Sequence, residues 1–181
     1  MVPWRMSSLL DWAEALWTGA VRTDHTSILT GGVGTPLTEV APGVGFLANF
    51  ANVIVVDSGA ELGLIDTGSF LTADRVFAEV SRWRPAPVVA AIYTHGHVDH
   101  AMGMGRFDAD AVASGRPRPR VYAHEAVAAR FERYQLTAGW NQAINTRQFR
   151  VPGLRWPTEY RLPDVTYRGQ WKLGLGDVKL E

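Results

Sequence analysis

The chain has 181 residues, a length for one domain or part of a larger one. With 46% hydrophobic, 20% charged and 10% aromatic residues it can bury a core and is not intrinsically disordered. Its 18 basic and 18 acidic residues cancel, which argues against a nucleic-acid surface or an anionic-membrane surface. It has no cysteine, which excludes disulfides, thiolate metal sites and cysteine nucleophiles, so any metal must be held by His, Asp or Glu. The same absence agrees with a reducing cytoplasm. The first six residues carry one positive charge, and the apolar run after them stops at Asp11, too short for a signal peptide. The apolar stretch 44–56 is interrupted by Asn49 and Asn52 and is far short of a membrane span. A cytoplasmic location is expected.

Residues 7–17 have helical spacing at Leu9, Trp12, Ala13 and Leu16, with a serine in capping position and Gly19 at the end. Residues 30–36 read as a Gly/Thr/Pro loop. Extended runs follow at 45–50, 52–56 and 62–65, the last two joined by Asp57-Ser58-Gly59-Ala60-Glu61 as a hairpin connection. Asp66-Thr67-Gly68-Ser69 leads into a helix with Phe70, Ala73, Val76, Phe77, Val80 and Trp83 on its apolar face, closed by Pro85 and Pro87. Residues 88–93 form a continuous apolar strand of the kind buried on both faces. The strand Val121-Tyr122-Ala123 precedes a helix from His124 to about residue 138, with Val127, Phe131 and Tyr134 inward and Gly139 as terminator. Residues 140–149 read as a further helix, and the Pro/Gly/Trp-rich end has strands at 165–167 and 178–180. Strands alternating with helices give an α/β class.

Three of the five histidines fall within Thr94-His95-Gly96-His97-Val98-Asp99-His100, directly after the buried strand. Open α/β sheets bind ligands at the C-terminal ends of their strands, where loop residues converge. Gly96 would let the backbone turn so that His95 and His97 face one metal. Asp99 adds a hard oxygen donor and His100 another nitrogen. Such donors without thiolate suit zinc, iron or manganese. The competing reading is a loop of solvated histidines with Asp99 capping a helix. Three weaker features have bland readings. Arg116, Arg118 and Arg120, spaced by prolines, read as a solvated loop before an anion site. Gly43-Val44-Gly45 reads as a turn and strand, not a dinucleotide loop. Trp140, Trp156 and Trp171 read as packing residues before a substrate groove.

The heptad around His95 resembles the His-x-His-x-Asp-His signature of the metallo-β-lactamase superfamily, and Leu64-Ile65-Asp66-Thr67-Gly68 resembles its preceding strand. Within that superfamily, residues 93–101, Tyr122-Ala123-His124-Glu125 and Asn145-Thr146-Arg147-Gln148-Phe149 resemble the alkyl sulfatase-like branch. The resemblance implies an αββα sandwich and a two-metal hydrolase, with zinc as the expected ion and iron or manganese as substitutes. By the same resemblance His95 and His97 would bind the first metal, and Asp99 and His100 the second. Asp66 would orient a ligand histidine, its other reading being a cap on the helix after Ser69. Asp99 would also steer the attacking water or take up its proton.

Members of the family supply further ligands after this stretch, whereas His124 is the last histidine here and opens a helix. The chain therefore reads as the N-terminal half of the fold: residues 1–37 as a helix-and-loop extension and 38–181 as a partial metallo-β-lactamase domain. A half sandwich would leave an apolar sheet face uncovered, so that self-association and a homo-oligomer are expected. The expected function is metal-dependent hydrolysis of a small molecule, with alkyl sulfate esters foremost, and no nucleic-acid partner. The alternatives are an inactive metal-binding fragment and a lactonase- or glyoxalase-like hydrolase. Should ligands have to come from inside the chain, His124, Asp108, Asp110 and Glu125 are the first candidates.

Overall fold

A computed structural model describes residues 9–20 and 36–181. Helix α1 (Leu9–Trp17) falls where the Leu/Trp spacing puts it; its serine cap and the loop over 30–35 lie outside the described residues. Strands β1 (Thr38–Ala41), β2 (Val44–Leu47), β3 (Val53–Asp57) and β4 (Leu62–Ile65) form an antiparallel meander. From β4 onward the direction is parallel, through β5 (Val88–Tyr93), β6 (Arg120–His124) and β7 (Val165–Tyr167). Parallel neighbours need crossovers, and helices supply them. These are α2 (Ala73–Trp83), then α3 (Val98–Ala101) with α4 (Met104–Ala113), then α5 (Ala126–Leu136) with α6 (Ala138–Phe149). The seven strands lie side by side in chain order, and a separate hairpin of β8 (Leu173–Leu175) and β9 (Val178–Leu180) follows.

Period-two alternation divides the sheet into two faces. Val53, Val55, Leu62, Leu64, Ala91, Tyr93, Val121 and Ala123 pack in one core with Val76 and Val80 of α2, Met104 and Phe107 of α4, and Val127 and Phe131 of α5. Full burial of such side chains stabilises the fold by about 1.5–3 kcal/mol each. On the other face a single ladder runs Phe46–Ile54–Ile65–Ile92–Tyr122–Val165 across six strands. The hairpin covers one end of it, where Leu175 packs with Val56, Ala90 and Tyr122.

Several boundaries differ from the sequence expectation. Phe70 lies in a turn ahead of α2 and is exposed, since the helix begins only at Ala73. His124 ends β6 instead of opening a helix, because its strand pairs on as far as Tyr167. Gly139 does not terminate α5: the break comes at Thr137, whose hydroxyl donates to the Arg133 carbonyl (2.8 Å), and Gly139 lies inside α6.

Candidate metal centre

The site forms where β4 and β5 end side by side. Asp66 continues the ladder through its N–H to Ile92 O (2.8 Å), then turns the chain with a φ of 59°. That left-handed conformation is uncommon for any residue but glycine, with aspartate among the tolerant exceptions. It leaves the buried carboxylate aimed across at the end of β5. Asp66 Oδ1 accepts from the Thr94 N–H (2.8 Å), and Oδ2 accepts from the Thr94 hydroxyl (2.7 Å) and from His100 Nδ1 (2.7 Å). It does not cap α2, whose N-cap position is Thr72, where no side chain makes a capping hydrogen bond.

The backbone after Asp66 is tied to the same loop. His100 O accepts from the Thr67 N–H (2.7 Å) and hydroxyl (3.1 Å), and the Gly103 N–H donates to Gly68 O (2.9 Å). This contact needs glycine at 103, since a Cβ there would fall 1.8 Å from the Thr67 carbonyl oxygen. Gly96 is required by proximity too, not by an unusual φ: a Cβ would come within 2.8 Å of Arg130 Cβ on α5.

The three imidazoles come together, with ring centroids 4.5 Å apart for His95–His97 and 4.1 Å for His95–His100. Their hydrogen bonds determine where the protons sit. The Thr94 hydroxyl gives its one hydrogen to the Asp66 carboxylate, so at His95 Nδ1 (3.0 Å) it accepts. His100 Nδ1 likewise donates to Asp66, and His97 Nε2 accepts from Arg130 Nη2 (2.8 Å). In their neutral forms all three rings then carry hydrogen on Nδ1 and leave a lone pair on Nε2, one of the two nitrogens through which imidazole can bind a metal. Asp99 Oδ2 lies 3.6 Å from His100 Nε2. The hydrogen bond from Asp66 raises the His100 pKa, whereas burial, followed by the neighbouring His95, lowers that of His97.

The nitrogen and oxygen donors and the tautomers fit a metal, yet among the described residues no three such side chains converge closely enough to enclose one. His97 Nε2 is engaged by Arg130. The fallback ligands are elsewhere: Asp108 pairs with Arg161 (2.9 Å), Asp110 with Arg116 (2.6 Å) and Glu125 with Arg168 (2.6 Å). His124 Nδ1 accepts from the Ala126 N–H (3.2 Å), and its ring meets Tyr167. Trp140 and Trp171 are exposed, while Trp156 packs on Tyr134. A cleft lined by Phe77, Ser81, Pro87, Asp110 and Arg116 opens near the start of β5, away from the histidines that follow its end, and holds no histidine. Arg130 is the site residue that sequence reasoning missed. Its spacing one turn before Tyr134, on the helix after the neighbouring strand, was the available signal.

A family model described as the metallo-beta-lactamase superfamily matches residues 47–174. Solved structures with the same architecture include a metallo-beta-lactamase of Cronobacter sakazakii with a HARLDQ motif (20% identity, TM-score 0.56, 80% of this chain and 51% of that one). A stereoselective inverting sec-alkylsulfatase from a Pseudomonas species gives 21% identity and a TM-score of 0.64, over 80% of this chain and 26% of that one. A metallo-beta-lactamase of Elizabethkingia meningoseptica gives 14% and 0.60, over 88% and 53%. These likenesses concern the fold alone, and the chain spans about half the length of the lactamases it matches. No curated protein matches it.

Proposed function

We propose, because this chain belongs to the metallo-beta-lactamase superfamily, that it serves the metal-dependent hydrolysis of a small molecule, with alkyl sulfate esters as the first candidates. The reading rests on one observation: the rings of His95, His97 and His100 meet at the end of β5, with centroids 4.5 Å apart for His95–His97 and 4.1 Å for His95–His100. His95 and His97 would hold one metal and Asp99 and His100 a second, zinc being proposed and iron or manganese the substitutes. A bound metal would supply a water acidic enough to give hydroxide near neutral pH, and positive charge for the developing oxyanion. The protein's own part is orientation. Asp66 keeps the His100 ring from rotating, the Thr94 hydroxyl does the same for His95, and Asp99 would take up the proton of the attacking water. A cytoplasmic place and a small-molecule partner, without nucleic acid, complete the proposal.

Zinc titration tests it directly. The chain should bind zinc, more weakly at acidic pH as the imidazoles protonate, and His95→Ala with His97→Ala should remove most of the binding. Unchanged stoichiometry in the double variant would refute the ligand assignment. Hydrolysis should be assayed on a medium-chain alkyl sulfate and a lactone side by side; cleavage of the lactone alone selects a lactonase- or glyoxalase-like activity. A second reading is a chain that binds metal without turnover, supported by the donors of the described residues not closing round an ion. Turnover by the chain as it stands would exclude that reading.

A further inference from the structure

We propose that Arg130 is the substrate-recognition residue of this site, taking an oxyanion of the substrate beside the histidines. The inference rests on the hydrolase reading above and adds the residue that reads the anionic group. Arg130 lies on α5, and its stem passes against the Cα of Gly96, where no side chain obstructs it. The guanidinium then reaches the imidazole cluster, with Nη2 2.8 Å from His97 Nε2 and 3.4 Å from the Tyr134 hydroxyl, stacked 4.9 Å over the Tyr134 ring.

Burial without a counter-charge is what distinguishes Arg130. Arg82, Arg84, Arg106, Arg116, Arg161 and Arg168 each meet a carboxylate, and Arg118, Arg120, Arg133, Arg147, Arg150 and Arg155 are exposed to water. Among the described residues Arg130 meets none, and its Nε is buried without a hydrogen-bond partner. A half-buried cation held by an aromatic face and a neutral imidazole is electrostatically incomplete. Its fork of donors matches two oxygens of a sulfate, phosphate or carboxylate, and a lysine would not reproduce that geometry. The acceptor it uses now, His97 Nε2, belongs to a neutral imidazole, and an anionic oxygen accepts more strongly, so an anion can draw the Nη2 donor away with no metal in place. Beside it Tyr134 packs on Trp156 (5.4 Å) and stacks with Tyr160 (6.4 Å), an aromatic wall suited to an apolar tail.

The test is binding, measured by calorimetry on the zinc-free 181-residue chain with decyl sulfate, decanoate and decanol below their aggregation limits. Wild type should prefer at least one of the two anions over decanol by about tenfold, the worth of one charged hydrogen-bonded contact. Arg130→Met keeps the stem under Gly96 and should abolish the preference without changing decanol binding; Arg130→Lys should restore only part of it. Decanoate binding like decyl sulfate supports recognition of oxyanions in general, and decyl sulfate alone narrows it to a tetrahedral head. An anion preference that survives in Arg130→Met overturns the proposal, as does a wild type that binds all three alike. Zinc titration of the same samples keeps the two readings apart. Failure of wild type to bind zinc defeats the metal assignment, whereas intact zinc binding with an unaltered anion preference in Arg130→Met defeats only the role of Arg130.

Discussion

At the scale of single residues, Asp66 joins three partners through one carboxylate while its own backbone sits at a φ of 59°. Asparagine tolerates that conformation too, so Asp66→Asn removes the charge with little backbone disturbance. If Asp66 acts by orienting His100, this variant should bind zinc about 10- to 100-fold more weakly, not lose it. Calorimetric titration decides: no change leaves the residue a structural link, and complete loss makes it a direct ligand. The histidine cluster and Asp66 were legible as a candidate site in the sequence because both follow apolar strands. Arg130 was not, since an arginine on an amphipathic helix reads as solvated until the fold turns it toward a loop 33 residues earlier.

Elements are fastened to one another by a few charged links. Asp57, the last residue of β3, accepts from the Gly59 N–H (2.7 Å) and from Arg84 Nε (2.8 Å), and Arg84 also reaches Glu39 of β1 (3.2 Å). The Gly59 N–H and then Arg84 hold the Asp57 carboxyl below its usual range. A carboxyl depressed in the folded state adds stability above its unfolded pKa, and that contribution disappears as pH falls through the folded value. Asp57→Asn should therefore be less stable than wild type at pH 7, by about 1 kcal/mol or less for so exposed a pair. The gap should begin to narrow at about pH 4, the unfolded carboxyl value, and close as pH falls through the lower folded value. Urea midpoints across that range check it, and a gap independent of pH would mean that the charge contributes nothing. Among the elements, β4 and β5 were readable from their apolar runs, and β3 to within a residue at each end. The first strand, Thr38–Ala41, was hidden because three of its four residues are exposed and Pro36 and Pro42 flank it. The second half of the long helical stretch was legible, but its break at Thr137 was not, since α6 buries no residue that would set a pattern.

For the whole molecule, the ladder opposite the helices is the exposed liability. Ile92, Tyr122 and Val165 have the β8–β9 hairpin against them, while Phe46, Ile54 and Ile65 stay half-buried outside that cluster. Contiguous apolar surface of this kind promotes association. The chain should sediment as a concentration-dependent mixture, and Ile54→Lys with Ile65→Lys should shift it toward monomer. Identical sedimentation of wild type and double variant would place the contact elsewhere. The other face holds the reverse situation, in the bonds joining Thr67 and Gly68 to His100 and Gly103. Ordering a residue's backbone costs roughly 1–2 kcal/mol. Because these bonds form as the sheet assembles, the segment from Asp66 to Gly103 loses that freedom during folding, before any ion arrives. A cation at the proposed site would then need only side-chain rotation and the departure of one guanidinium. The loop is thus preorganised, and affinity there would be governed by desolvation and donor count, with little entropy left for the backbone to lose.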